Sequence, residues 1–259
     1  MSLPLLSLRG VSIRIAGRVL IDNLALTMHA GQRLAILGQN GTGKTTLLHT
    51  IAGLRPFAAG EIIVNQRRLG DWPRRSLAQQ LGLLFQSLQD DMPSTVLETA
   101  MLGRLPHARH WQWESVDDIA AVDQALHAMH LADLAHRDIS SLSGGERQRL
   151  AIASLLAQNP LIYLLDEPGN HLDISFQIKV LQLFRERTLV QPKTMVMATH
   201  DINLAASFCD QVLLLYGDGR YRLGDVATVL TDEILSDAYQ CRISHVKSAG
   251  NRIFFVDMS

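Results

Sequence analysis

The chain has little of what would place it outside a reducing compartment or inside a membrane. Only 2 of its 259 residues are cysteine, Cys209 and Cys241. Their separation fits no metal-ligand spacing, so they read as inert thiols. No apolar run approaches the 18 or more residues a membrane-spanning helix needs. Stretches such as Leu161 to Leu165 have the length of buried strands. The opening Met1-Ser2-Leu3-Pro4-Leu5-Leu6 lacks the basic and apolar regions of a secretory signal, and a cytosolic chain is the expectation. Charge of one sign is missing too. With 24 Lys and Arg against 25 Asp and Glu, the formal net charge is −1, which offers no electrostatic footprint for a nucleic-acid backbone. Internal repeats and low-complexity linkers are absent from the sequence.

What is present is an ordinary globular balance, 47% hydrophobic and 19% charged, enough for one large α/β core with a lobe. Residues 5 to 37 alternate short β-like runs with turn residues. The apolar run Leu34-Ala35-Ile36-Leu37 leads into Gly38-Gln39-Asn40-Gly41-Thr42-Gly43-Lys44-Thr45, and helix formers follow. A strand, a glycine-rich loop and a helix in that order form a phosphate cradle. Its glycines let backbone N–H groups point inward, the helix N-terminus adds partial positive charge, and Lys44 adds a mobile full one. The expected nucleotide contacts are Gly38, Asn40, Gly41, Thr42, Gly43, Lys44, Thr45 and Thr46. The Thr45 hydroxyl is also suited to Mg²⁺, a hard cation that bridges β- and γ-phosphates.

Further along, β-like runs stop between Gln86 and Ser141, and segments 95–102 and 116–129 carry helical spacing. This predicts a helical lobe (87–141) inserted in an α/β core (1–86 and 142–259). From Glu146 onward, helices alternate with apolar strands, implying a largely parallel sheet. The tail, with a strand-like run over 211–216, a turn at Gly217-Asp218-Gly219, a helix over 232–239 and two strand-like runs around Gly250, reads as a small appended layer, with 226–259 as the appended segment.

Polar residues cluster where strands end, the edge at which α/β sheets bind ligands. Asp166 and Glu167 follow Leu161 to Leu165. Neighbouring side chains on a strand point to opposite faces, so Asp166 can serve Mg²⁺ while Glu167 acts as general base, or at least orients and polarises the attacking water. His200 ends another run and is either structural or a donor to the γ-phosphate. Gln86 ends a third; it either starts a helix or touches both Mg²⁺ and the attacking water. Ser143-Gly144-Gly145-Glu146 is a helix N-cap, or a second phosphate cradle made of a hydroxyl and exposed N–H groups.

Taken together in this order and spacing, Gly38 to Thr45, Gln86, the run Leu142-Ser143-Gly144-Gly145-Glu146-Arg147-Gln148-Arg149, Leu161 to Glu167, His171-Leu172-Asp173 and His200 resemble the ATP-binding subunit of an ABC transporter. The resemblance covers essentially the whole chain. It implies a P-loop NTPase core of mostly parallel sheet plus an antiparallel layer, ATP and Mg²⁺ as cofactors, and ATP hydrolysis. It also implies a head-to-tail homodimer in which Ser143, Gly144, Gly145 and Glu146 of one copy close over ATP held by the other. Asp173 would lie in the loop between the two sites. Gln86 and the lobe would face two membrane-spanning permease subunits, with a substrate-binding protein behind them and the chain at the cytoplasmic face of the inner membrane.

Gly103-Arg104-Leu105-Pro106-His107, Asn170 to Asp173 and the tail resemble importers of iron-siderophore, haem and cobalamin complexes. Two positions depart from the family. Ile15 stands where an aromatic usually stacks on adenine, so the resemblance implies an apolar rest and weaker base selectivity. Gly169 stands where Thr usually follows Asp-Glu-Pro, outside the catalytic shell. A soluble ABC protein of translation or DNA repair would carry two cassettes or a long coiled-coil insertion; a low-turnover ATP switch is the other alternative.

Overall fold

The computed structural model describes residues 3–85, 93–108, 115–248 and 251–258. Its centre is a six-stranded sheet of β3 (Arg33–Leu37), β6 (Leu81–Leu84), β7 (Ile162–Asp166), β8 (Thr194–Ala198), β9 (Gln211–Leu215) and β10 (Tyr221–Asp225), in the order β10-β9-β3-β8-β7-β6. All neighbours run parallel except the β9–β10 hairpin at one edge. The strands are apolar throughout because both faces are covered. On β3, Ala35 and Leu37 join one core while Leu34 and Ile36 join the other; on β7, Tyr163 and Leu165 separate from Ile162 and Leu164 in the same way.

An antiparallel layer covers the second face: β2 (Arg18–Met28), β1 (Leu6–Ile15), β4 (Ala59–Val64) and the two-residue β5 (Arg67–Arg68). The two runs expected over 5–8 and 11–15 are one strand, β1, whose pairing with β2 shifts register between Leu8 and Val11. A bulge there lets one strand keep its apolar face inward despite the turn residue Gly10. On the same side lies α1 (Lys44–Ile51), which buries Leu47, Leu48 and Ile51. α2 (Arg74–Gln80) precedes β6.

Between β6 and the next sheet strand, the described residues carry α3 (Val96–Met101), α4 (Val116–Ala128), short 3-10 turns and then α5 (Gly144–Gln158). Each long helix here starts on a side-chain cap: Thr95 for α3, Ser115 for α4 and Ser143 for α5. α5 ends on Asn159 in the left-handed conformation, and Pro160 follows, a stop that turns the chain directly into β7.

The run Gly103 to His107 fastens onto the last turns of α5. A Cβ on Gly103 would run into the Ser154 carbonyl. Arg104 donates to Asp118 Oδ1 and to the Ala157 carbonyl, both at 2.7 Å, and a His107 ring nitrogen lies 2.9 Å from the Gln158 carbonyl oxygen. Beyond β7 come α6 (Ile174–Val190) and α7 (Ile202–Phe208).

After β10 the chain forms α8 (Val226–Val229), α9 (Asp232–Tyr239) and a separate antiparallel pair, β11 (Ile243–Ser248) with β12 (Asn251–Val256). The pair is held to α7 by Asn203, which accepts from the Phe254 N–H at 2.8 Å and donates to its carbonyl at 3.1 Å. Gly250, expected in the turn, lies outside the described residues.

Candidate active site

The phosphate loop fills the gap between β3 and α1. Gly38 has φ of 143°, and a Cβ there would sit 2.5 Å from the Leu215 carbonyl oxygen, so only glycine leaves β3 this way. Gly43 takes the left-handed conformation at the start of α1, with no side chain capping the helix. Its first N–H groups therefore face the cleft in front of it. Thr42 is buried and donates to the Gln39 carbonyl at 2.9 Å, holding the loop's curve. Lys44 Nζ donates to the carbonyls of Gly38 at 2.7 Å and Gln39 at 3.2 Å. Burial pushes the Lys44 ammonium below its usual range, while the charges of Glu167 and Asp166 hold it up.

In front of the loop lies a cleft of about 470 Å³. Asn40, Gly41, Lys44 and Thr45 line it together with Ile15, Arg18 and Glu167. A second cleft of about 550 Å³ runs along the β9–β10 turn, between Tyr216, Arg220 and Asp22. It is larger, but it has no helix N-terminus or glycine loop to hold an anion, so the chemistry belongs to the first.

Asp166 is the last residue of β7 and is 1% exposed. Its Oδ2 has no hydrogen-bond partner. Burial pushes this carboxyl above the usual carboxylate range; the Thr45 side chain and the charges of His49 and Lys44 oppose that. A buried, unpartnered carboxylate oxygen beside a threonine suits a hard divalent cation that takes its remaining ligands from phosphate and water. The residues present therefore fit Mg²⁺.

Glu167 follows with φ of 50°, an uncommon conformation for a non-glycine residue, and its N–H donates to the Ala198 carbonyl at 3.0 Å. This turn of the backbone presents the carboxylate to the cleft, and such local strain is tolerated where the surroundings impose it. Across the sheet edge, at the end of the neighbouring strand β8, His200 Nδ1 lies 2.9 Å from Glu167 Oε2. Their strand-end positions lead one to expect them on the same edge of the sheet; the direct contact between them is read from the structure alone.

Other expected residues stand elsewhere. Ser143 and Glu146 form a closed capping box: the Glu146 N–H donates to Ser143 Oγ at 3.3 Å, while Ser143 N–H and Oγ–H donate to Glu146 Oε2 at 2.8 and 2.7 Å. The helix-cap reading of this turn thus holds in full. Gly145 has a further reason to be glycine, since a Cβ there would lie 2.9 Å from the His171 carbonyl oxygen. Asp173 caps α6, accepting from the Phe176 N–H at 2.9 Å and from Ser175 Oγ at 2.6 Å. None of Ser143 to Glu146 or Asp173 lines the cleft of their own chain. Gln86 lies outside the described residues.

Two residues of this region escape sequence reasoning. Arg18 donates Nε and Nη2 to the Gly217 carbonyl at 3.1 and 2.8 Å, a contact between positions 199 residues apart that no local pattern reports. Gln177 packs into the space that a side chain at position 169 would occupy, so that a Cβ on Gly169 would run into it. The spacing of Gly169 ahead of α6 gave no sign of it.

Residues 21–170 match the ABC transporter family. The chain belongs to that family. The petrobactin import ATP-binding protein FpuD of Bacillus anthracis is 35% identical over 87% of this chain and 84% of its own. The hemin import ATP-binding protein HmuV of Thermobifida fusca is 37% identical over 93% of this chain and 84% of its own. Among solved structures, a transporter assigned to the metal-chelate ABC type, in an inward-facing conformation, has a chain that superposes with a TM-score of 0.83. It is 28% identical and covers 97% of this chain and 96% of its own. The dimeric cassette MJ0796 bound to ADP and Pi gives a TM-score of 0.75 at 29% identity, over 85% of this chain and 98% of its own. As a member of the family the cassette is an ATP-binding, ATP-hydrolysing subunit of an ABC transporter, and its α/β fold with a mixed sheet is the family's. No helix among the described residues is long and apolar enough to cross a membrane.

Proposed function

We propose that the cassette powers import of a metal chelate of the iron-siderophore, haem or cobalamin class, working as a head-to-tail pair on two membrane-spanning subunits. The cargo reading rests on the likeness to petrobactin and hemin import subunits, and the 2.9 Å pairing of Glu167 with His200 supports the hydrolytic step. Gly38 to Thr46 hold the triphosphate, with Lys44 leaving the Gly38 and Gln39 carbonyls to neutralise it. Thr45 and Asp166 would hold Mg²⁺, with Gln86 as the further expected ligand, and the ion would supply charge neutralisation at the phosphates. Glu167 accepts the proton of the attacking water. His200, its Nδ1 committed to Glu167, fixes that carboxylate; its Nε2 donates to the γ-phosphate only when the ring is doubly protonated.

Ser143, Gly144 and Gly145, with Glu146 holding the turn, are one half of a site whose other half is a second copy's phosphate loop. Asp173 lies at that seam. ATP binding closes the pair and hydrolysis reopens it, which shifts the membrane partners between access states. In this arrangement 1–86 and 142–259 are the core, 87–141 the helical subdomain facing the permease together with Gln86, and 226–259 an appended segment. The chain sits peripherally at the cytoplasmic face, a binding protein delivers the cargo, and nucleic acid plays no part.

The test is ATP hydrolysis by the assembled transporter in membranes, with binding protein loaded in turn with ferric siderophore, haem, cobalamin or maltose. Stimulation by one of the chelates alone supports the reading. Stimulation by the sugar alone, or by none of the four, defeats it.

A further inference from the structure

The cleft is lined by two chemically distinct sets of residues. One part of its lining is the phosphate loop around Lys44 and Thr45; the other is Ile15, Arg18 and Leu20 from β1 and β2. Among the described residues, no aromatic side chain lines this cleft. Ile15 is 39% exposed and offers aliphatic surface only. Arg18, by contrast, is pinned. Two of its guanidinium nitrogens hold the Gly217 carbonyl, and the Gly217 turn itself rests on the phosphate loop, where a Cβ at Gly217 would lie 3.1 Å from Thr42 Cα. A surface arginine thus has a fixed place beside the phosphate loop, and its guanidinium is a planar cation in the lining of the cleft. A planar, delocalised cation in that position is a stacking surface.

We propose that Arg18 is the base platform of this site: its guanidinium stacks on the purine ring, with Ile15 packing beside it, in place of an aromatic side chain. The inference rests on the reading of the cleft as an ATP site. Stacking uses the π-face that every base has and does not read hydrogen-bonding edges, so ATP and GTP bind alike, and CTP, with a smaller ring, binds less tightly.

The experiment measures dissociation constants by calorimetry, with Mg²⁺, for ATP, CTP and inorganic tripolyphosphate, which has the charges but no base. The wild-type chain is compared with R18A, R18K and the double variant R18A/I15Y. We expect R18A to weaken ATP about tenfold and tripolyphosphate less than twofold. R18K keeps the charge and a donor for Gly217 but loses the plane, so its ATP affinity falls as in R18A while tripolyphosphate stays unchanged. I15Y in the R18A background restores ATP binding by supplying a ring. Equal losses for ATP and tripolyphosphate would mean that Arg18 acts through charge or through the loop's shape, and the platform assignment fails, as it does if R18A leaves ATP affinity unchanged. K44A separates the two levels: it should abolish binding of both ligands, and a wild-type chain that binds neither defeats the ATP reading itself.

Discussion

Glu167 and His200, 33 residues apart in sequence, are joined at 2.9 Å because β7 and β8 are parallel neighbours that end at the same edge. The pair makes the division of labour testable. Glu167→Gln keeps the shape but cannot take a proton. It should retain ATP affinity, lose about 10²- to 10⁴-fold in kcat, and shift to a dimer with ATP in size-exclusion chromatography. His200→Ala leaves the base in place, so its kcat should fall by about tenfold to a hundredfold, less than for Glu167→Gln. The opposite order would move the base role to His200.

Gly169 and Gln177 share one space. Gly169→Thr, which restores the residue usual in the family, should cost less than about 1 kcal/mol, because the group it meets is the end of the flexible Gln177 side chain, which can turn aside. Adding Gln177→Ala should recover most of the loss in urea unfolding. Recovery would show that the glycine reflects packing against α6.

Lys193 is 3% exposed and donates to the Asn159 and Pro160 carbonyls at 3.1 and 2.6 Å. Burial, with Arg187 nearby, lowers its ammonium from 10.5 to about 8. The folded chain thus releases this proton before the unfolded chain does, and between pH about 8 and 10.5 the unfolded state holds more protons. Stability from this group therefore rises with pH across that window. Urea titrations at pH values on either side of it should show the rise, and Lys193→Met should flatten it.

The two thiols should behave oppositely. Cys209 is buried, and its thiol is pushed up to about 12, chiefly by burial, while Cys241 is exposed. Iodoacetamide should modify Cys241 in the folded chain and reach Cys209 only in denaturant, as read by intact mass.

The parts legible in the sequence were those whose signal is local. β3, β7 and β8 stand out as unbroken apolar runs because helices and the antiparallel layer bury both faces. Strand ends then locate Asp166, Glu167 and His200 on one edge without further information. The capping box at Ser143 was equally readable, since all its partners lie within three residues. What stayed hidden depends on distant or weakly patterned neighbours. β10 is a half-exposed strand of Tyr221, Arg222, Leu223, Gly224 and Asp225, with no apolar alternation to announce it, and α2 is a short helix with no buried residue. Arg18 is an ordinary turn residue until the fold brings Gly217 to it.

α5 begins at the Ser143 turn, and its first two turns press against the acid-bearing loop of the same chain. Gly145 lies under the His171 carbonyl, and Gln148 Nε2 donates to the Pro168 carbonyl at 3.3 Å. In a head-to-tail pair, the wall with which a copy feels its neighbour's nucleotide is thus the same wall that holds its own Glu167. Under the proposed head-to-tail arrangement, occupancy next door would be a precondition for chemistry at home. The smallest working engine is then two loaded copies, and its rate should climb with ATP as a sigmoid whose Hill coefficient exceeds one and approaches the number of sites.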